Sequence, residues 1–263
     1  MSALVGKEIR QAWRTFRLPA LYLALLFLAI MDPLSTRYMG EILQKFGQGI
    51  TIIVPPPSAE MAVGSFIGDI VEIGLLVIVA ITMGVVASEK ASGVATFIVT
   101  KPASRKSYVL AKYGVLSVGL ALGIAASVLL TSLYTWTLIG PIQASRVALA
   151  TLAIGIYAEF IMSATFAASM VTSGALAAGG VGLAFMIAVG IAGSLLGRST
   201  VGPWLPSALM GNANLLLTGS AGSTGSPDSS TLSLLLKPGT TAIFLSAALL
   251  WAGFDKFRRQ DLQ

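Results

Sequence analysis

The chain has 263 residues, 55% hydrophobic and only 11% charged, with a mean hydropathy of +0.84. A soluble domain carries about a quarter charged residues, so this composition calls for a lipid solvent. Cysteine and histidine are both absent, which excludes disulfides, Cys/His metal centres, thiol nucleophiles and a histidine general base.

Residues 4–17, "LVGKEIRQAWRTFR", come first. At about 100° per residue, Val5, Ile9, Ala12 and Phe16 form one stripe, with Lys7, Arg10 and Arg14 opposite. The pattern predicts an amphipathic helix over 1–17 lying in the membrane interface, its basic face toward anionic headgroups and Trp13 at the boundary. A cleaved signal peptide is disfavoured, because no A-x-A follows Met31 and Glu8 interrupts the charged start.

Six apolar runs follow, near 18–39, 66–87, 109–134, 149–171, 176–196 and 239–254, each set against the ~20 residues that cross a bilayer. The first is interrupted by Asp32-Pro33 and spans only if its helix continues toward Tyr38 or tilts against its neighbours. The sixth is short at its outer end, where Lys237-Pro238 precedes it. Between the runs, residues 40–65 contain "ITIIVPPPSAEM", whose prolines favour an extended stretch. Residues 197–238 hold "VGPWLPSALMGNANLLL", readable as a re-entrant piece or as an ordinary loop, and then "GSAGSTGSPDSS", a Gly/Ser segment with no means of packing. No internal repeat is evident.

Charge orients these runs. Twelve Lys/Arg fall in 1–17, 88–108 with Lys112, and 255–263, whereas Arg37, Lys45, Arg146, Arg198 and Lys237 fall on the other side. The positive-inside bias predicts N-in and C-in. The expected fold is therefore an all-α polytopic membrane protein, a single domain of six transmembrane helices preceded by an interfacial amphipathic helix. The positive charge lies at the ends of apolar runs and not on a soluble domain, so no nucleic-acid partner is expected.

Besides Asp32, three carboxylates fall inside the runs. Asp69 and Glu72 lie one helical turn apart near the outer end of the second, so they share a face. They are either a pair for a cation or cationic group, or an acidic first turn favoured by the helix dipole. Glu159 lies near the middle of the fourth run. A carboxylate there is a functional candidate by default, the alternative being a protonated group hydrogen-bonded to a neighbouring helix. Gly119-xxx-Gly123 suits close helix contact, within one chain or across a dimer.

The segment 87–114, "ASEKASGVATFIVTKPASRKSYVLAKYG", joins the second and third spans. A short helix is expected up to Thr100-Lys101, since the residue before Pro102 avoids the α region, and Ser104 can cap the next helix. Retention of positive charge explains the Lys and Arg of this island, but not Glu89, Gly93, Val94, Phe97 or Ile98. The run E-K-x-S-G-V-x-T, then K-P-A-S-R, then Y-V-L-A-K resembles the type-2 ABC transporter permease family. The matching residues are Glu89, Gly93, Thr96, Pro102, Ser104, Arg105 and Lys112. In that family the glycine and threonine are adjacent, whereas Val94 and Ala95 separate them here. The interfacial start, six-span layout, proline-rich first outer loop and broken segment before the last span also look like that family.

The resemblance implies a permease, generally an exporter of the bacterial plasma membrane, that dimerises with a second or homologous copy and docks a separate cytosolic ATPase. Loop 88–108 would be the coupling element. Glu89 and Arg105 would make polar contacts, Phe97 and Ile98 an apolar seat, Pro102 the angle to the next span, and Gly93 and Thr96 the remaining motif positions. The chain contains no G-x-x-x-x-G-K-[ST], so ATP and Mg²⁺ would be bound by the partner and the chain would not be catalytic alone. Asp69, Glu72 and Glu159 are the candidate substrate or ion path, and no metal site is expected. The competing class is an ion-coupled secondary transporter that uses those carboxylates.

Overall fold

The computed structural model describes residues 2–46, 55–92, 105–219 and 229–259, and every regular element among them is helical. Helix α1 is Ser2–Arg14 and α2 is Arg17–Phe46. The second span is built from α3, Ala59–Asp69, a π-helical turn at Ile70–Gly74, and α4, Leu75–Met83. A stub, α5, covers Ala87–Ala91. Next come α6, Arg105–Leu138, α7, Ala144–Val171, and α8, Ala175–Leu196. A 3₁₀ turn at Gly202–Trp204 leads to α9, Ala208–Thr218, and α10 is Ser229–Arg259. Six of these segments are long and apolar enough to cross a bilayer: Arg17–Leu43, Ala59–Ala91, Arg105–Leu138, Ala144–Val171, Ala175–Leu196 and Thr231–Arg259. The protein is an all-helical polytopic membrane protein.

Helix α7 is the hub. It is apolar on every side, which suits a helix enclosed by others. Ile154, Tyr157, Ala158, Ile161, Met162 and Phe166 are all buried on it, and α4, α6, α8, α9 and α10 pack around it. Helices α2 and α6 form a second close pair. Gly119 lies against Leu18, and Gly123 lies so close to Tyr22 and Leu25 that an added Cβ would sit 2.9 Å from the tyrosine ring. This small-residue pair is therefore used inside the chain. By contrast, α8 exposes Leu176, Val181, Ile187, Ile191 and Leu195, as a lipid-facing helix does.

Both chain ends lie at one end of the bundle. Tyr108 near the start of α6 stacks on Phe257 of α10, with ring centroids 6.4 Å apart. Arg105 Nη1 donates to the Arg258 carbonyl at 2.8 Å. Phe16, at φ 62°, occupies the left-handed region and turns the chain from α1 into α2. The interfacial helix also differs in detail from its apolar stripe. Ala12 and Glu8 are buried while Ile9, Trp13 and Phe16 are exposed, so the stripe divides between protein and lipid.

Several expected boundaries shift. Asp32-Pro33 does not end the first span, because a proline inside a helix removes one hydrogen bond and the rest of the ladder carries on. The second span begins at Ala59, capped by Ser58 Oγ accepting from Met61 N at 3.2 Å. Asp69 thus lies well inside it and not in a first turn. The sixth span is far longer than 239–254, with Pro238 inside the helix. Proline has no N–H for the Leu234 carbonyl, and Asn212 Nδ2 of α9 supplies the missing donor at 2.7 Å. The segment 203–217 folds mostly into α9, which buries Leu209, Ala213, Leu216 and Leu217 against the bundle and ends at Gly219 in the left-handed region. Most of "GSAGSTGSPDSS" lies outside the described residues.

Candidate functional site

The most organised polar structure sits at the end of the bundle that holds the termini. Glu89, 7% exposed, projects from α5 into the protein. Its Oε1 accepts from Lys112 Nζ at 2.7 Å and from Gln11 Nε2 at 2.7 Å, and its Oε2 accepts from Tyr108 OH at 2.5 Å. Lys112 Nζ also donates to Glu8 Oε2 at 2.9 Å and lies 5.1 Å from the Tyr108 ring centroid. The Lys112 side chain has no exposed surface. Two buried carboxylates around one buried ammonium are tolerable only because donors meet them on several sides. Lys7 Nζ adds one at 3.2 Å from Glu8 Oε1. The network joins α1, α5 and α6, elements far apart in the sequence.

The stub α5 is fastened on its other side as well. Ser169 Oγ of α7 accepts from the backbone N–H groups of Val86 and Ala87, both at 3.0 Å. These are donors that a helix start leaves without intrahelical partners. Lys90 Nζ donates to the Met170 carbonyl at 2.9 Å, and Arg17 Nη2 reaches the Gly84 carbonyl at 3.2 Å. So α5 and the turn before it, which precede residues 93–104, are tied at once to α1, α2, α6 and α7.

The expected direct contact between Glu89 and a partner changes character here. Its carboxylate is turned inward and filled by three donors, so Glu89 positions α5 and offers no free oxygen to another protein. Arg105 is likewise engaged, through the Arg258 carbonyl. Gly93, Thr96, Phe97, Ile98, Pro102 and Ser104 lie outside the described residues.

The intramembrane carboxylates separate into two places. Glu159 lines a cavity of about 590 Å³ between α6, α7 and α10, whose walls include Ile124, Gly155, Ile156 and Leu250. Tyr113 OH donates to Glu159 Oε1, and Ser117 also bonds the carboxyl. Glu159 is therefore both held by a neighbouring helix and presented to an apolar cavity. Asp69 and Glu72 differ in their surroundings. The π-helical turn at Ile70–Gly74 changes the helical spacing between them, and Glu72 is exposed. Asp69 instead meets Asp32 of α2, close enough for their carboxyl groups to share a hydrogen bond.

No protein-family model matches the chain. The uncharacterized transmembrane protein YxlG of Bacillus subtilis (strain 168) is 28% identical over 220 residues, which is 82% of this chain and 84% of that protein. The chain is thus similar, over most of its length, to another transmembrane protein.

Two residues of these buried polar contacts escaped the sequence reading. Glu8 served only as a charge that interrupts a signal-like start, yet it is half of the counter-charge to Lys112. Asp32 stood out only as part of a helix breaker. The local signal was there in both cases, a lone acid among apolar or basic neighbours. Its partner lies in another helix and was not visible.

Proposed function

We propose that this chain is the permease subunit of a type-2 ABC exporter in a bacterial plasma membrane, driven by a separate cytosolic ATPase dimer and paired with a second permease copy. The observation that carries this reading is the seating of α5. A mobile connector between spans needs no buried salt bridges, whereas a segment that receives force must be fixed to what it moves. Force applied to residues 93–104 would pass through Glu89 and Lys112 to α1 and α6, and through Ser169 and Met170 to α7. Its ATP and Mg²⁺ would be bound by the partner, and the chain itself would perform no chemistry. The motif around Gly93, Thr96 and Pro102 and the clustering of basic residues at this end support the same reading. The cavity beside Glu159 is then the stretch of path where cargo would meet a carboxylate.

A second reading, ion-coupled secondary transport, draws on the contact between Asp32 and Asp69. One experiment separates the two. The tagged chain is purified from its native membrane and its partners are identified by mass spectrometry. A P-loop ATPase should co-purify in fixed ratio, and Phe97→Asp should release it while membrane insertion stays normal, since a charge buried in a docked seat costs several kcal/mol, about 2–5. Recovery of the chain without any ATPase overturns the proposal in favour of the second reading.

A further inference from the structure

Asp32 is 6% exposed, and its Oδ2 is buried with no hydrogen-bond donor reaching it. The group it meets is a second carboxyl, Asp69, half-buried on α3. Among the described residues every acidic group in a salt bridge is Glu8, Glu89 or Asp255, so neither Asp32 nor Asp69 has a Lys or Arg. Two carboxylates cannot both stay charged side by side inside a membrane without a cation or a proton between them.

Each helix departs from regular α-helical bonding next to its aspartate. Pro33 lacks an N–H, so the Ala29 carbonyl one turn before it loses its helical donor. Directly after Asp69, the π-helical turn Ile70–Gly74 departs from the α-helical bonding pattern. A Cβ on Gly74 would lie 3.6 Å from Leu25 Cδ2, and because the two helices are antiparallel, Asp32, after Leu25, and Asp69, before Gly74, lie on the same side of that contact. Carboxylates beside a helix carbonyl that lacks its intrahelical donor offer the kind of oxygen ligands with which membrane proteins hold alkali cations.

We propose that Asp32 and Asp69 form a binding site for one monovalent alkali cation between α2 and α3. Among the described residues no group of three or more acidic side chains gathers to hold a metal ion, whereas Ca²⁺ takes about six to eight oxygens and Mg²⁺ near-ideal octahedral geometry. The site is distinct from the Glu159 cavity and from the Lys112 network. It does not depend on an ATPase partner.

The test is direct binding of ²²Na⁺ and ⁸⁶Rb⁺ to the full purified chain in detergent at pH 8, without any ATPase, so its outcome is separate from that of the pull-down. One of the two ions should bind saturably, at about one per chain. Asp32→Asn and Asp69→Asn should each weaken it at least about tenfold, because loss even of a ligand's supporting partner has effects of that size. Glu72→Gln should bind as wild type. If an Asn variant fails to elute as a folded species, the wild-type titration decides alone. Absence of saturable binding of both ions to the wild-type chain overturns the proposal, as does unchanged binding in folded Asn variants or saturable ⁴⁵Ca²⁺ binding in place of either ion.

Discussion

Lys112 shows how much one residue can be asked to hold. Its ammonium is fully enclosed and bonded to Glu8 and Glu89 at 2.9 and 2.7 Å. Removing it leaves two buried carboxylates facing each other, whereas removing all three charges together leaves nothing unpaired. Lys112→Met should therefore destabilise the protein by about 3–5 kcal/mol. The combination Glu8→Gln, Glu89→Gln, Lys112→Met should recover most of that loss. Chemical unfolding in detergent, followed by tryptophan fluorescence, reads both. A single variant that unfolds like the wild type would mean that water reaches the site. Serine acts on a smaller scale. Ser169→Ala removes the acceptor shared by the Val86 and Ala87 N–H groups. The same unfolding assay should register a loss of about 1–3 kcal/mol, the usual penalty for stranding a buried backbone donor.

At the scale of elements, proline is the recurring device, and its two instances are resolved differently. Pro33 leaves the helical ladder open beside Asp32, whereas Pro238 is repaired from outside by Asn212. Because the repair replaces one missing donor, it has a testable reciprocity. Asn212→Leu should cost about 1–3 kcal/mol, by leaving the Leu234 carbonyl unsatisfied. In a Pro238→Ala background the backbone supplies that donor, so Asn212→Leu should become close to neutral. The double-mutant cycle measures the coupling, and strictly additive effects would show that α9 docks for reasons unrelated to α10. Helix packing follows the same economy of space. Gly123 admits Tyr22 and Leu25 so closely that α2 and α6 approach as small-residue pairs allow in membranes.

At the scale of the molecule, the bundle has one end rich in Lys and Arg, where both termini, α1, α5 and the start of α6 converge. The opposite end is closed by α9 and the 3₁₀ turn, with Arg146 Nη1 donating to the Thr218 carbonyl at 3.4 Å. The positive-inside rule predicts that the basic end faces the cytosol. The chain has no cysteine, so single cysteines at Ala91 and Ser199, both exposed, report sidedness cleanly. Ser199→Cys should react with a membrane-impermeant maleimide in intact cells, and Ala91→Cys only after permeabilisation. The reverse pattern would put α5 on the outer face and remove the basis for an ATPase partner.

The membrane class, the six spans and an N-terminal amphipathic helix were legible from composition and periodicity, because the length of an apolar run and the stripe on a helix are properties of neighbouring residues. Glu89 stood out in the sequence too, but the direction of its carboxylate did not. Glu8 meets Lys112, Asp32 meets Asp69 and Asn212 meets the Leu234 carbonyl only once helices distant in the chain are packed together. Even the different surroundings of Asp69 and Glu72, three positions apart, one half-buried and one exposed, go with a π-helical turn that the sequence pattern does not announce. Charge in a membrane must find its partner wherever packing brings one, and packing is decided by the assembled bundle and not by any stretch of chain.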